Sequence, residues 1–95
     1  MSKNKQTKVV QIGDKVQLKH PCRLDNGSEL KELIVRVDQL TVGDEITARR
    51  GTGGDEALVE VNLAAKVFGI NPEDMQRVDR RDWSEVQEVL SRFLY

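Results

Sequence analysis

With one cysteine and one histidine, this chain has little from which to build reactive chemistry. Cys22 alone excludes an internal disulfide, so the fold must be held by packing rather than by staples. His20 precedes it by two positions, but no further His or Cys exists to complete a metal shell or to activate the thiol. His20-Pro21-Cys22 therefore reads as half-buried strand, with no metal and no cofactor expected. Long apolar runs are missing as well. Neither a signal-peptide core nor a membrane span is legible, and a cytoplasmic protein with no membrane partner is expected. Gly51-Thr52-Gly53-Gly54 lacks the Lys-Ser/Thr pair of a phosphate loop, and Asp55 and Glu56 after it repel phosphate, so it reads as a flexible joint. Asn26-Gly27-Ser28 matches a glycosylation sequon, but without a secretory signal it reads as a turn. Most carboxylates fall at helix starts or on polar faces, Asp79-Arg80-Arg81-Asp82 reading as a cap with surface charges. No enzyme and no small-molecule substrate are expected.

What is present is charge, unevenly spread. Residues 1–23 hold six Lys/Arg against Asp14 alone, +5, and the rest hold nine against fifteen acids, −6. Acidic surface repels phosphates, which disfavours nucleic acid as a partner of the helical part and leaves only the basic arm able to bind it. Met1–Lys8 has no apolar residue after Met1 to anchor it, and reads as a disordered, solubilising arm. Residues 9–95 are expected to form one α+β domain, burying about two thirds of its unfolded surface.

If Asn26 and Gly27 form a type I′ turn, opposed strand positions sum to 53. Leu18 then faces Val35, Val16 faces Val37 and His20 faces Leu33, all on one side of the hairpin. Pro21 lacks a ladder donor and predicts an edge strand or a bulge. Val9, Val10 and Ile12 suggest a short third strand. Thr41 with Asp44 caps a short helix carrying Val42 and Ile46 to about Arg50, and Asp55-Glu56 opens a longer one with Leu58, Val61, Ala65 and Phe68 on one face. Hairpin first and helices after is the order of an α+β fold with helices on one face of a small antiparallel sheet.

The last stretch is the most explicit. Gly69 supplies a left-handed helix end with Ile70 folded back on it, and Asn71 and Pro72 start another helix. Asp79 with Asp82 opens a final helix from about Arg80 to Leu94, in which Trp83, Val86, Leu90, Phe93 and Leu94 recur at helical spacing. Three of the four aromatics, Trp83, Phe93 and Tyr95, lie there. Such a stripe serves as core, as a partner groove or in self-association, and a domain this small has room for more than one use. The expected partner-binding residues are Leu58, Val61, Ala65, Trp83, Val86, Leu90 and Phe93.

In their order, Lys19-His20-Pro21, Val35-Arg36-Val37, Thr41-Val42-Gly43-Asp44, Phe68-Gly69-Ile70-Asn71-Pro72, Val78-Asp79, Asp82-Trp83 and Val89-Leu90-Ser91-Arg92-Phe93-Leu94 resemble the small tail assembly chaperones of contractile-tailed phages and Mu-like prophages. The resemblance covers about residues 15–95. The chain departs from it at Asp38-Gln39-Leu40, where relatives often carry Arg-Glu-Pro, and at Trp83, where Tyr is commoner. The resemblance implies a non-enzymatic role in the infected cell's cytoplasm, binding the helical, apolar tape measure protein until tube subunits polymerise around it. In several relatives a ribosomal frameshift also yields a longer form. The alternative is a small DNA-binding or regulatory protein that uses the basic arm with Arg80 and Arg81. Deleting residues 1–8 is expected to leave the melting temperature almost unchanged; a loss above about 2 kcal/mol, the scale of a core truncation, would show a packed arm.

Overall fold

The computed structural model describes residues 10–94; the Met1–Lys8 arm, expected to be disordered, lies outside them. Strands β1 (Lys15–Arg23) and β2 (Glu29–Ile34) precede helices α1 (Val42–Arg49), α2 (Glu56–Phe68), α3 (Pro72–Met75) and α4 (Arg80–Leu94). The fold is α+β, built on a two-stranded antiparallel hairpin. One core joins Val16, Leu18, Leu33 and Val35 of the hairpin region to Leu63, Val67 and Phe68 of α2, Met75 of α3, and Val86 and Leu90 of α4.

The strand register differs from the one that a type I′ turn dictates. Beside the turn Cys22 pairs with Leu30 and Arg23 with Glu29, while at the open end Val16 pairs with Leu33 and Lys15 with Ile34. Leu18 therefore does not oppose Val35, nor Val16 Val37, nor His20 Leu33. The turn is one cause. Gly27 has φ 87° but Asn26 is not left-handed, and a type I′ turn needs both. Instead the Leu24 carbonyl accepts the Gly27 N–H at 3.0 Å and the Leu24 N–H reaches Ser28 O at 2.8 Å, a three-residue loop closed by a left-handed glycine. Asn26 Oδ1 accepts the Ser28 N–H at 2.9 Å, a local bond that competes with the tighter turn. A bulge is the other cause, lying between Gln17 and Cys22, the segment where Pro21 removes a donor. Together the offsets move the far pairs by four positions. An even shift keeps faces unchanged, which is why Val16, Leu18, Leu33 and Val35 are all buried despite new partners.

The third strand expected around Val9–Ile12 is absent from the described residues. Asp14 closes a turn there: its N–H bonds Gln11 O at 3.0 Å and its carboxylate accepts the Gln11 N–H at 2.9 Å. Gly13 and Asp14 then bond Val35 and extend the hairpin ladder.

Helix boundaries follow the caps. Thr41 and Asp44 cap α1 reciprocally at 3.1 and 3.0 Å. Asp55 accepts the Ala57 and Leu58 N–H groups at the start of α2. Gly69 ends α2 at φ 67°, with the Ile70 N–H on Ala65 O at 3.1 Å. A side chain at 69 would also meet Arg36 Cγ at 2.9 Å. Asn71 occupies the cap position of the single turn α3, but its side chain makes no cap bond and Pro72 alone carries out the expected start. In α4, Asp79 Oδ1 accepts the Arg81 N–H at 2.8 Å.

Asp82 is not the surface charge its helix-start position suggests. It is 2% exposed. Its Oδ1 accepts the Lys19 N–H at 3.1 Å and its Oδ2 the His20 N–H at 2.9 Å, both within the bulged segment that has no strand partner. The carboxylate thus replaces a missing strand for two part-buried donors that have no ladder partner. Burial pushes the Asp82 carboxyl up, but the His20 and Lys19 N–H groups and the His20 ring outweigh it and hold it below the usual carboxylate range. A depressed folded pKa contributes stability that is complete above the unfolded carboxylate value, about 3.9, and is lost as pH falls through the folded one. Asp82→Asn is expected to lower the melting temperature at pH 7 and to flatten the acid limb of a stability–pH curve below about pH 4. Part of that limb survives, because Asp44 and Asp79 are depressed too, Asp44 chiefly by the Thr41 N–H and Asp79 chiefly by the Arg81 side chain. An unchanged limb in the variant would overturn this assignment.

Candidate partner-binding surface

The candidate surface is laid down by α2 and α4, which Gln87 Nε2 and Glu60 Oε1 link at 3.0 Å. Leu94 shares a surface depression with Ala57 and Glu60, and Trp83 shares another with Val61. Each helix sends its apolar stripe into the core first. Ala65, Val86 and Leu90 are buried there, and Leu58, Val61, Trp83 and Phe93 are half-buried. Of the seven residues expected to meet a partner, these last four keep surface within reach of one.

The structure brings two of them together. Val61 and Trp83 line an open groove of about 270 Å³ with Met75, Gln76, Val78 and Arg80. Met75 is buried and gives the groove an apolar base, while Val78 and Trp83 pack against the core as its walls. Arg80 supplies a cation at the edge. Arg81, which the nucleic-acid alternative needs, is clamped by Asp79 through its Nε and Nη2, both at 2.9 Å. A groove of apolar walls around a partly exposed indole can take an apolar side chain of a partner helix and offer the indole N–H to a polar neighbour.

Ala65 belongs to a different surface. It lines a trough of about 780 Å³ bounded by α1, the end of α2 and the segment after β2, with Arg36, Lys66 and Ile70. The sequence gives no sign of this trough, because its walls come from segments far apart in the chain. Apolar exposure also occurs on α1: Val42 is 78% and Ile46 52% exposed, and the helix's buried contact is Ala48. Helical spacing identifies the 42/46 pair but not the side that faces inward.

Among the described residues no group of three or more His, Cys, Asp and Glu is placed to hold a metal ion. Burial raises the Cys22 thiol pKa, with Arg77 opposing the shift, so the thiol is not activated as a nucleophile. Among the described residues no helix is long and apolar enough to cross a membrane.

With this geometry in hand, comparison with known proteins gives the class. A family model described as phage tail assembly chaperone proteins, E, or 41 or 14, matches residues 15–95. The chain belongs to that family. No curated protein and no solved structure shows a significant match to it.

The division between core and surface is testable by unfolding. Leu90→Ala is expected to cost about 2–5 kcal/mol by opening a cavity, whereas Val61→Thr at the groove should cost less than about 1 kcal/mol. Urea unfolding of both variants measures this, and equal losses would show Val61 to be core.

Proposed function

We propose that this chain binds the helical, apolar tape measure protein during tail assembly, without catalysis, in the cytoplasm of the infected cell. Family membership supports a role in tail assembly with protein partners. The observation that carries the finer reading is the Val61–Trp83 groove, where Trp83 is half-buried although the next stripe residues, Val86 and Leu90, are fully packed. A long helical protein with exposed apolar stripes aggregates unless other amphipathic surfaces cover it, and many weak contacts along one rod gain avidity. Half-buried Leu58 and Phe93 extend the surface that contacts such a rod.

Coexpression with the tape measure protein of the same phage tests this. The partner should become soluble and co-elute with the chain in size exclusion, and moderate salt should leave the complex intact because apolar burial is not screened. Trp83→Ala should weaken it by about 2 kcal/mol, roughly thirtyfold, as expected for an aromatic anchor. Equal solubility with and without the chain, and no co-elution, would refute the reading. A DNA complex that dissolves steeply between low and physiological salt would favour the nucleic-acid alternative.

A further inference from the structure

The trough on the other flank of α2 has a chemistry of its own. Its volume is about 780 Å³, and its floor includes Ala48 and Ala65, buried residues whose short side chains leave a depression rather than a ridge. Ile70 adds an apolar wall. The Asn62 amide, which also faces the trough, spends an N–H on the Ala48 carbonyl at 2.8 Å, fixing the α1–α2 spacing beneath it.

The charges around this floor are mismatched. Asp44 is its acid, and that carboxylate is committed to the Thr41 N–H at 3.0 Å and lies 3.8 Å from Lys66. Arg36 forms no ion pair among the described residues. Its backbone and stem are held in place: its N–H bonds Val67 O at 2.8 Å, and its stem crosses the Gly69 turn so closely that a Cβ there would lie 2.9 Å from Cγ. Two cations against one committed acid make this trough locally positive, in a stretch, residues 24–95, that carries −6 overall. An apolar depression beside a guanidinium that forms no ion pair among the described residues, on a stem held over Gly69, is complementary to an apolar side chain with a carboxylate close by.

We propose that this trough is a second docking site, for a helical segment of a partner protein that seats one large apolar side chain over Ala48 and Ala65 and sets a Glu or Asp against Arg36. It does not depend on the Val61–Trp83 groove or on the identity of that groove's partner. The test is an amide-resolved NMR titration of the full chain with a synthetic helical peptide carrying one Leu and, one helical turn away, one Glu. A second peptide has Gln in place of the Glu. Saturable shifts are expected at Ala48, Ala65 and Ile70. Binding should be roughly tenfold weaker for the Gln peptide and for Arg36→Gln, an exposed substitution that leaves the core intact, as loss of one charge-assisted contact implies. Trp83→Ala should leave the peptide affinity unchanged. The proposal is overturned if no saturable shift occurs, if the Gln peptide or Arg36→Gln binds equally well, or if the shifts map to Val61 and Trp83. Peptide binding with these features alongside a failed tape measure coexpression would refute the functional reading and leave the trough assignment standing.

Discussion

Two backbone N–H groups of a bulged strand need a partner, and Asp82 is placed to be it. Pro21 and the bulge remove Lys19 and His20 from the ladder, and in a buried region unpaired donors cost more than most single contacts contribute. Satisfying them requires the start of α4 to lie against β1 at hydrogen-bond distance, which fixes where the helix begins over the sheet. From that anchor the stripe of α4 falls onto the hairpin core at Val86 and Leu90. The neighbouring position, 83, is left at the margin of that contact, where an indole is half-buried rather than swallowed. The Val61–Trp83 groove thus lies beside a structural bond one residue away.

This link also explains why two separated sequence segments, Lys19-His20-Pro21 and Asp82-Trp83, belong to one pattern: they are the two halves of a single interaction. Read singly, each misleads. Asp82 sits three residues after Asp79 and has the look of a solvated first-turn acid, and His20 has the look of an ordinary inward strand residue. Only the fold brings them together, with His20 Nδ1 3.5 Å from Asp82 Oδ1. Interactions set by local chemistry were legible in sequence, as the Thr41–Asp44 box, the Asp55 cap, the Gly69 end and the span of α4 show. The strand register was not, because it depends on which of several turns Asp25-Asn26-Gly27 adopts and on the length of a bulge whose freed N–H groups bond a carboxylate about sixty residues away.

The candidate surface is legible in sequence only as a set of apolar positions. Periodicity identified the apolar positions of α2 and α4 but could not divide them between core and surface, since that division depends on where the neighbouring elements land. Ala65, Val86 and Leu90 share spacing with Val61, Trp83 and Phe93, yet the first three are buried and the others half-buried. On α1 the large apolar residues Val42 and Ile46 are exposed, while Ala48 does the packing. Arg36 shows the limit most clearly. Its stem lies over Gly69 and it forms no ion pair among the described residues, a juxtaposition of two chain segments that no local pattern encodes.

On the proposed reading, the modest size of the Val61–Trp83 groove suits its task. A cavity of about 270 Å³ accepts roughly one large side chain, far less than the ~800 Å² per partner of a stable interface, so one copy should hold its partner weakly. A temporary cover on an assembly scaffold has to leave when tube subunits arrive, and tight single-copy binding would oppose that exchange. Weak contacts repeated along one rod resolve the conflict: occupancy is high while many copies cover the rod, and each copy is still displaced at the cost of a few contacts. The buried Asp82 link and the packed Val86–Leu90 seam supply the complementary requirement, because a weak surface is specific only if its side chains are already held in place when the partner arrives.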